Sequence, residues 1–260
     1  MQAFWDRQFK FSEVIPDFAS ALDRMAKDSG AVAEHLRFSR AAYGDHSRQW
    51  VEWVEGMGPQ TVLPVIIHGG YWRALQAETH RFMMPGFLSA GAAVANVEYR
   101  LMPGVRLADV VADAKSALRR LAQSFPTAQF VLVGHSAGAH LALSALTDAT
   151  LADRTLGVLS ISGVYDLAPV RLSFLQSELS LTPDEVAAFT LSPDSTRPPV
   201  LYINGSAETP EYLRGGALMS QAENADWHVI DGADHMSLTW ATCDQAETLL
   251  SKLYSLGNTK

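Results

Sequence analysis

Four apolar residues, Phe130-Val131-Leu132-Val133, run straight into Gly134-His135-Ser136-Ala137-Gly138, and an Ala/Leu-rich stretch from Ala137 to Leu146 leaves that turn. A short apolar run closed by glycine reads as a buried strand, and the stretch after it as a helix. The chain therefore turns sharply from strand to helix through Ser136. Gly134 and Gly138 carry no side chains, so strand and helix can approach closely around the turn. This arrangement strains the serine backbone and exposes its Oγ above the sheet. The N-terminus of the following helix favours negative charge developing there. A plain glycine-rich turn with serine as a cap is the bland alternative. A phosphate-binding turn would need Gly-x-Gly-x-x-Gly or a Gly-Lys-Ser/Thr ending, and neither is present. The pattern predicts that Ser136 is a nucleophile.

The rest of the chain repeats a strand and helix rhythm. Val62–Ile67, Ala92–Val97, Leu156–Ile161, Val200–Ile203 and Trp227–Ile230 read as strands, and Trp50–Val54 alternates like one before a turn at Gly56-Met57-Gly58-Pro59. Leu107–Phe125 has helical spacing, with Val110, Val111, Ala114, Leu118 and Leu121 on one face; residues 80–90 and Asp244–Tyr254 also read as helical. Such alternation specifies an α/β fold with a mostly parallel central sheet and helices on both faces. Residues 1 to about 48 read instead as a helical N-terminal extension without sheet, opening at Ile15-Pro16-Asp17-Phe18 and reaching over the site. Residues 163–198 break the rhythm with Pro169, Pro183, Pro193 and Pro198, and are expected to form a small helical insertion near the C-terminal edge of the sheet. No repeat, low-complexity tract or linker divides the 260 residues, so a single domain is expected over 1–260.

Composition removes several classes of function. A formal net charge of -8 with scattered Lys and Arg offers no basic field for nucleic acid or an anionic membrane. The single cysteine, Cys243, cannot form an intrachain disulfide. The first residues lack the apolar core of a signal peptide, and no run approaches the ~18 apolar residues of a membrane helix. A soluble, cytoplasmic protein is the expectation.

A hydroxyl nucleophile needs an oxyanion hole, a base and an acid that orients the base. His68-Gly69-Gly70-Tyr71-Trp72 directly follows the Val62–Ile67 strand, and its glycines let backbone N–H groups approach a reacting carbonyl. The expected donors are the amides of Gly70, Tyr71 and Ala137, with Gly69 an open alternative. Tyr71 and Trp72 are expected beside the site as an aromatic wall, with Tyr165 and Trp240 as further substrate-binding aromatics; the bland reading makes them core. His68 reads as a structural hydrogen-bonding residue.

Of eight histidines, only His228 and His235 lie late in the chain. His228 falls within a strand, whereas His235 sits in the loop Asp231-Gly232-Ala233-Asp234-His235-Met236 and is the expected base. For the acid, Glu208 occupies the loop after Val200–Ile203 where a carboxylate is normally presented. Asp231 and Asp234 are too near His235 in sequence to reach its imidazole from behind, and Asp166 serves only if the topology is shifted. Glu211 suits the first turn of a helix opening near Pro210.

These residues resemble the arylformamidases (kynurenine formamidases), in the hormone-sensitive-lipase-like branch of the α/β-hydrolases. The match lies in His68-Gly69-Gly70-Tyr71-Trp72, where esterases of that branch more often carry a third glycine at the position of Tyr71. It extends through Gly134-His135-Ser136-Ala137-Gly138-Ala139-His140, Ser162-Gly163-Val164-Tyr165-Asp166-Leu167, Asn96-Val97-Glu98-Tyr99-Arg100-Leu101 and Tyr43-Gly44-Asp45-His46-Ser47-Arg48-Gln49. The resemblance implies an α/β-hydrolase that converts N-formyl-L-kynurenine to L-kynurenine and formate without cofactor or metal, often as a homodimer. It places the nucleophile on Ser136 and the base on His235. It aligns Glu208 with an acid that is usually Asp. The rival expectation is a broad carboxylesterase acting on small acyl esters, and a more remote one is a catalytically dead fold used for binding.

Overall fold

A computed structural model describes residues 1–57, 61–88 and 93–257. Strands β1 (Ser39–Ala42), β2 (Trp50–Val54), β3 (Val62–Ile67), β4 (Val94–Val97), β5 (Gln129–His135), β6 (Thr155–Ile161), β7 (Val200–Gly205) and β8 (Asp226–Ile230) form one sheet in the order β1-β2-β4-β3-β5-β6-β7-β8. β1 and β2 pair antiparallel, as do β2 and β4, and every pair from β4 to β8 is parallel. Successive residues of a strand point to opposite faces. Because Phe130, Val131, Leu132 and Val133 are all fully buried, both faces of the central strand are covered.

The N-terminal helices are α1 (Gln2–Phe9), α2 (Phe11–Val14) and α3 (Phe18–His35). The covering helices α4 (Met84–Leu88), α5 (Leu107–Ser124), α6 (Ala137–Ala145) and α7 (Ala149–Asp153) are followed by an insertion of α8 (Leu167–Arg171), α9 (Gln176–Leu179) and α10 (Pro183–Phe189). The chain closes with α11 (Pro210–Glu223), α12 (Ser237–Asp244) and α13 (Ala246–Gly257). α5 buries the stripe Val110, Val111, Ala114, Leu118 and Leu121, as its spacing requires. In α6 every residue is buried, because the helix leaving Ser136 lies against β3, β5 and β6 and beneath α5. The result is an α/β-hydrolase fold with N-terminal helices and a helical insertion.

Three expectations need correction. The N-terminal region is not wholly helical, since Ser39–Ala42 forms β1 on the sheet edge. That strand is short and largely exposed, so it lacks the apolar alternation that marks a strand in sequence. The closing helix starts at Ala246 rather than Asp244, because Asp244 ends a separate helix, Ser237–Asp244, that buries Leu238, Thr239 and Thr242. The strand at Ala92–Val97 begins at Val94; Ala92, together with Gly58 and Pro59 of the expected turn and residues 89–90 of the expected helix, lies outside the described residues. Among the described residues no helix is long and apolar enough to cross a membrane.

Parallel strands place their C-terminal ends on one edge, where ligands of open α/β sheets bind. The loops leaving β3, β5, β6, β7 and β8 there carry His68–Trp72, Ser136, Ser162, Glu208 and His235. α1 packs on α8 and α11, and α2 packs on α3, which brings the N-terminal helices over this edge.

Candidate active site

Ser136 has φ 56° and ψ -118°, a left-handed conformation that costs a non-glycine residue about 1–3 kcal/mol. Its N–H donates to the Ile161 carbonyl at 2.8 Å, so β6 holds the strained turn in place. Close approach explains the glycine that follows: a Cβ on Gly138 would fall 1.9 Å from the Ile67 carbonyl oxygen. Ser136 itself is buried beneath the N-terminal helices.

His235 and Glu208 meet directly, with His235 Nδ1–H donating to Glu208 Oε1 at 2.8 Å. A carboxylate accepts only, and three more donors complete its shell. The Ser162 hydroxyl donates to Oε1, Asn204 Nδ2 donates to Oε2 at 2.6 Å, and the Gly205 amide donates to Oε2 at 3.4 Å. The Phe11 ring stacks on the His235 imidazole at 4.1 Å, and His135 Nε2 lies 3.0 Å from the His235 carbonyl. Ser136 and His235 line the same cavity without a direct hydrogen bond between them. In an unliganded site such contacts are commonly long and tighten around substrate. The Tyr212 hydroxyl faces Ser136 and donates to Tyr71 Oη at 3.2 Å.

The loop after β3 is wound left-handed through Gly70 (φ 105°), Tyr71 (φ 51°) and Trp72 (φ 58°). Gly70 accepts from the amides of Arg73 and Ala74 at 3.0 and 2.9 Å, and a Cβ on it would lie 2.2 Å from the Ala74 carbonyl oxygen. This turn leaves the amides of Gly70 and Tyr71, and that of Ala137 at the start of α6, without a protein acceptor among the described residues. Tyr99 Oη donates to the His68 carbonyl at 2.8 Å and His68 stacks on the Tyr99 ring, which pins the preceding peptides. Gly69 presses on the serine turn, where a Cβ would lie 3.1 Å from Ser136 Cβ. His68 is a buried structural residue, its Nδ1 lying 2.7 Å from the Gly69 carbonyl.

A cavity of about 290 Å³ opens over Ser136 and His235, at the small end of the roughly 300–1,000 Å³ typical of ligand sites. Its walls are Phe9, Phe11, Phe18, Tyr71 and Phe174, with Lys10 and Arg73 also in the lining. Of the four aromatics expected here, only Tyr71 is present. Trp72 is fully buried and packs edge-on against His140, because adjacent residues of the left-handed turn point to opposite sides. Tyr165 lies in a second cavity, between the insertion and α11, and pairs with the Ser160 hydroxyl. Trp240 stacks on Phe82 and donates to Asp28 on α3.

The other carboxylates are occupied elsewhere. Asp166 caps α8, Asp234 caps its own loop through the amides of Met236 and Ser237, and Asp231 accepts from Ser206. Sequence reasoning missed Phe9, Phe11 and Phe174 in the cavity wall, Tyr212 beside Ser136 and His235, and Ser162 and Asn204 around the carboxylate. Asn204 and Ser162 carried a signal, since each closes or follows a strand that ends at the functional edge.

The comparisons agree with this fold. A family profile described as BD-FAE matches residues 55–162, the part that holds the donor loop and the serine turn. A kynurenine formamidase from Danio rerio is 26% identical over 96% of this chain and 90% of the fish protein. A crystal structure from Silicibacter sp., provisionally described as a thioesterase, superposes with a TM-score of 0.88 at 25% identity, covering 95% of this chain and 97% of that one. Esterase B from Lactobacillus rhamnosis superposes with a TM-score of 0.71 at 18% identity over 94% of this chain and 97% of that one, a likeness of fold. The protein is a hydrolytic enzyme of the α/β-hydrolase class. It is related distantly to kynurenine-formamidase-like proteins and to esterases and lipases.

Proposed function

We propose that the protein is a serine hydrolase that cleaves the formyl amide of N-formyl-L-kynurenine, releasing L-kynurenine and formate. The observation that carries this reading is a small cavity, walled by aromatic rings and bearing cationic side chains, above Ser136 and the hydrogen-bonded pair His235–Glu208. A formyl group needs little room on the acyl side, and an arylamine ring suits the aromatic wall. The formamidase relatedness over nearly the whole chain adds weight.

In the proposed mechanism His235 Nε2 takes the proton of Ser136 as Oγ bonds to the formyl carbon. Glu208 holds the imidazole in the required tautomer and offsets the charge of the imidazolium. The amides of Gly70, Tyr71 and Ala137 stabilise the tetrahedral oxyanion, each such donor being worth about 3–4 kcal/mol. The C–N bond breaks, His235 returns its proton to the arylamine nitrogen, and kynurenine leaves. Water then adds to the formyl ester with His235 as base; formate departs and Ser136 regains its proton.

A short-chain carboxylesterase would use the same residues, so substrate comparison is the test. kcat/KM for N-formyl-kynurenine is expected to equal or exceed that for phenyl acetate and phenyl butyrate. An ester preference of orders of magnitude would overturn the formamidase reading and leave the esterase.

Glu208→Gln tests the orienting role. An amide cannot accept from His235 and Ser162 on one side and from Asn204 and Gly205 on the other, because one of its two heads is itself a donor. The variant is expected to lose about 10³-fold in kcat with KM changed less than about threefold, since the interaction strengthens only with the imidazolium. A loss below tenfold would remove Glu208 from the mechanism.

A further inference from the structure

The proposed substrate carries a feature that the reacting residues do not address, a zwitterionic amino-acid head group at the end of the keto side chain ortho to its formamide. The cavity has one guanidinium in its lining, that of Arg73. Its backbone is fixed by the left-handed turn that forms the donor loop, through its amide bond to the Gly70 carbonyl at 3.0 Å. The side chain is about one-third exposed and forms an ion pair with Glu178 of α9, itself about one-third exposed. Arg73 thus belongs to the catalytic loop by its backbone, and its side chain meets the insertion at the cavity's edge. Phe174, on the segment leading into α9, completes the wall between them. A second pair, Lys10 with Glu13, stands on the N-terminal helices but is more exposed, and an ammonium lacks the planar fork that matches a carboxylate.

We propose that the Arg73–Glu178 pair is the head-group subsite, with Arg73 binding the substrate's α-carboxylate and Glu178 its α-ammonium. This inference rests on the formamidase reading for the identity of the substrate. An ion pair at the edge of a cavity is itself a dipole, and a zwitterion laid antiparallel to it satisfies both partners. The guanidinium has five N–H donors, so it can donate to a substrate carboxylate and keep one contact with Glu178. An uncharged aryl ester or formanilide gains nothing from the pair. A substrate with a carboxylate but no ammonium sets its charge against Glu178. The pair therefore selects amino acids over both neutral and purely acidic aryl substrates.

The test compares matched substrates with and without the head group in the native protein, Arg73→Gln, Arg73→Lys and Glu178→Gln. N-formyl-kynurenine is set against 2-formamidoacetophenone, and O-acetyl-L-ortho-tyrosine against 2-methylphenyl acetate, so that the head group stays ortho to the scissile group in both series. In both series the ratio of kcat/KM, head-group substrate to headless one, is expected to fall about 10- to 100-fold in Arg73→Gln, through KM rather than kcat, as expected for a lost charge-assisted contact. Arg73→Lys should recover part of that ratio. Glu178→Gln should raise kcat/KM for the des-amino ester 3-(2-acetoxyphenyl)propanoate relative to its amino-acid counterpart. An unchanged ratio in both series overturns the subsite. Equal losses on both members of each pair also overturn it, because they assign Arg73 to holding the donor loop. Native protein that hydrolyses the esters and neither formamide refutes the proposed function. The ester pair still decides the role of Arg73 in that case.

Discussion

Replacing Ser136 by alanine is expected to lower kcat by about 10⁵–10⁶-fold, because it removes the bond-forming atom and leaves only the donor loop and substrate binding. His235→Ala should cost nearly as much, and the double variant no more than either alone, since the two groups act as a unit. The variant should remain folded. Alanine keeps the strain of φ 56°, so the melting temperature is expected to change little. Ser136→Gly should instead raise stability by about 1 kcal/mol while abolishing turnover, because glycine adopts that backbone freely. Turnover with formamide and ester substrates, a phosphonate label that modifies the native protein alone, and thermal melts together check these points. Activity within tenfold of native in Ser136→Ala would end the proposed mechanism.

What could be read from the sequence follows the range of the interactions involved. The serine turn, the donor loop and the His235 loop are each specified within about ten residues, by an apolar run that meets glycine at the end of a parallel strand. Glu208 was legible by the same logic, as the carboxylate in the loop leaving β7. The cavity wall was not legible, because it depends on contacts between segments far apart in the chain. Phe9 and Phe11 come over the site because Gln8 is anchored on the start of α11: its carbonyl accepts from Thr209 Oγ1 at 2.9 Å, and its Oε1 accepts from the Glu211 amide at 3.1 Å. Nothing local announces that pairing. Tyr71 and Trp72 are neighbours of like composition, and only the left-handed winding sends one to the cavity and the other to the core. The expectation that the N-terminal helices reach over the site was legible as a placement, while the ring that stacks on His235 was not.

Stability is expected to fall steeply as pH drops below about 6.5, for a reason lodged in the histidines around the site. Burial lowers the pKa of His80 to about 3 and that of His140 to about 4, and holds His135 well below the ordinary imidazole value. After burial, His68 lowers His80 further, and His235, His80 and His68 lower His135. Each ring also has one buried nitrogen without a hydrogen-bond partner among the described residues: His80 Nε2, His135 Nδ1 and His140 Nδ1. A second proton there would point at no acceptor. In the unfolded chain these histidines take up protons near pH 6.5, whereas in the folded protein His80 stays neutral until about pH 3, His140 until about pH 4, and His135 well below its ordinary value. Across that window the unfolded state binds more protons, so the stabilisation is complete above pH 6.5 and is lost as pH falls toward the folded values. Each histidine contributes a slope of about 1.4 kcal/mol per pH unit, so His80 and His140 together approach about 3 kcal/mol per unit, and His135 acts in the same direction. Two such units rival the whole net stability of a typical domain, about 5–15 kcal/mol. Urea unfolding at pH 7, 6, 5 and 4.5 should show a midpoint that falls while the denaturant slope holds. Equal midpoints at pH 7 and pH 5 would refute the assignment. His140→Gln keeps a donor for the Phe189 carbonyl, now bonded to Nε2 at 2.8 Å, but cannot titrate, and should lower the pH slope by about 1.4 kcal/mol per unit. Activity lost on acidification through His80, His135 and His140 is expected to follow the unfolding curve and to recover only at the rate of refolding.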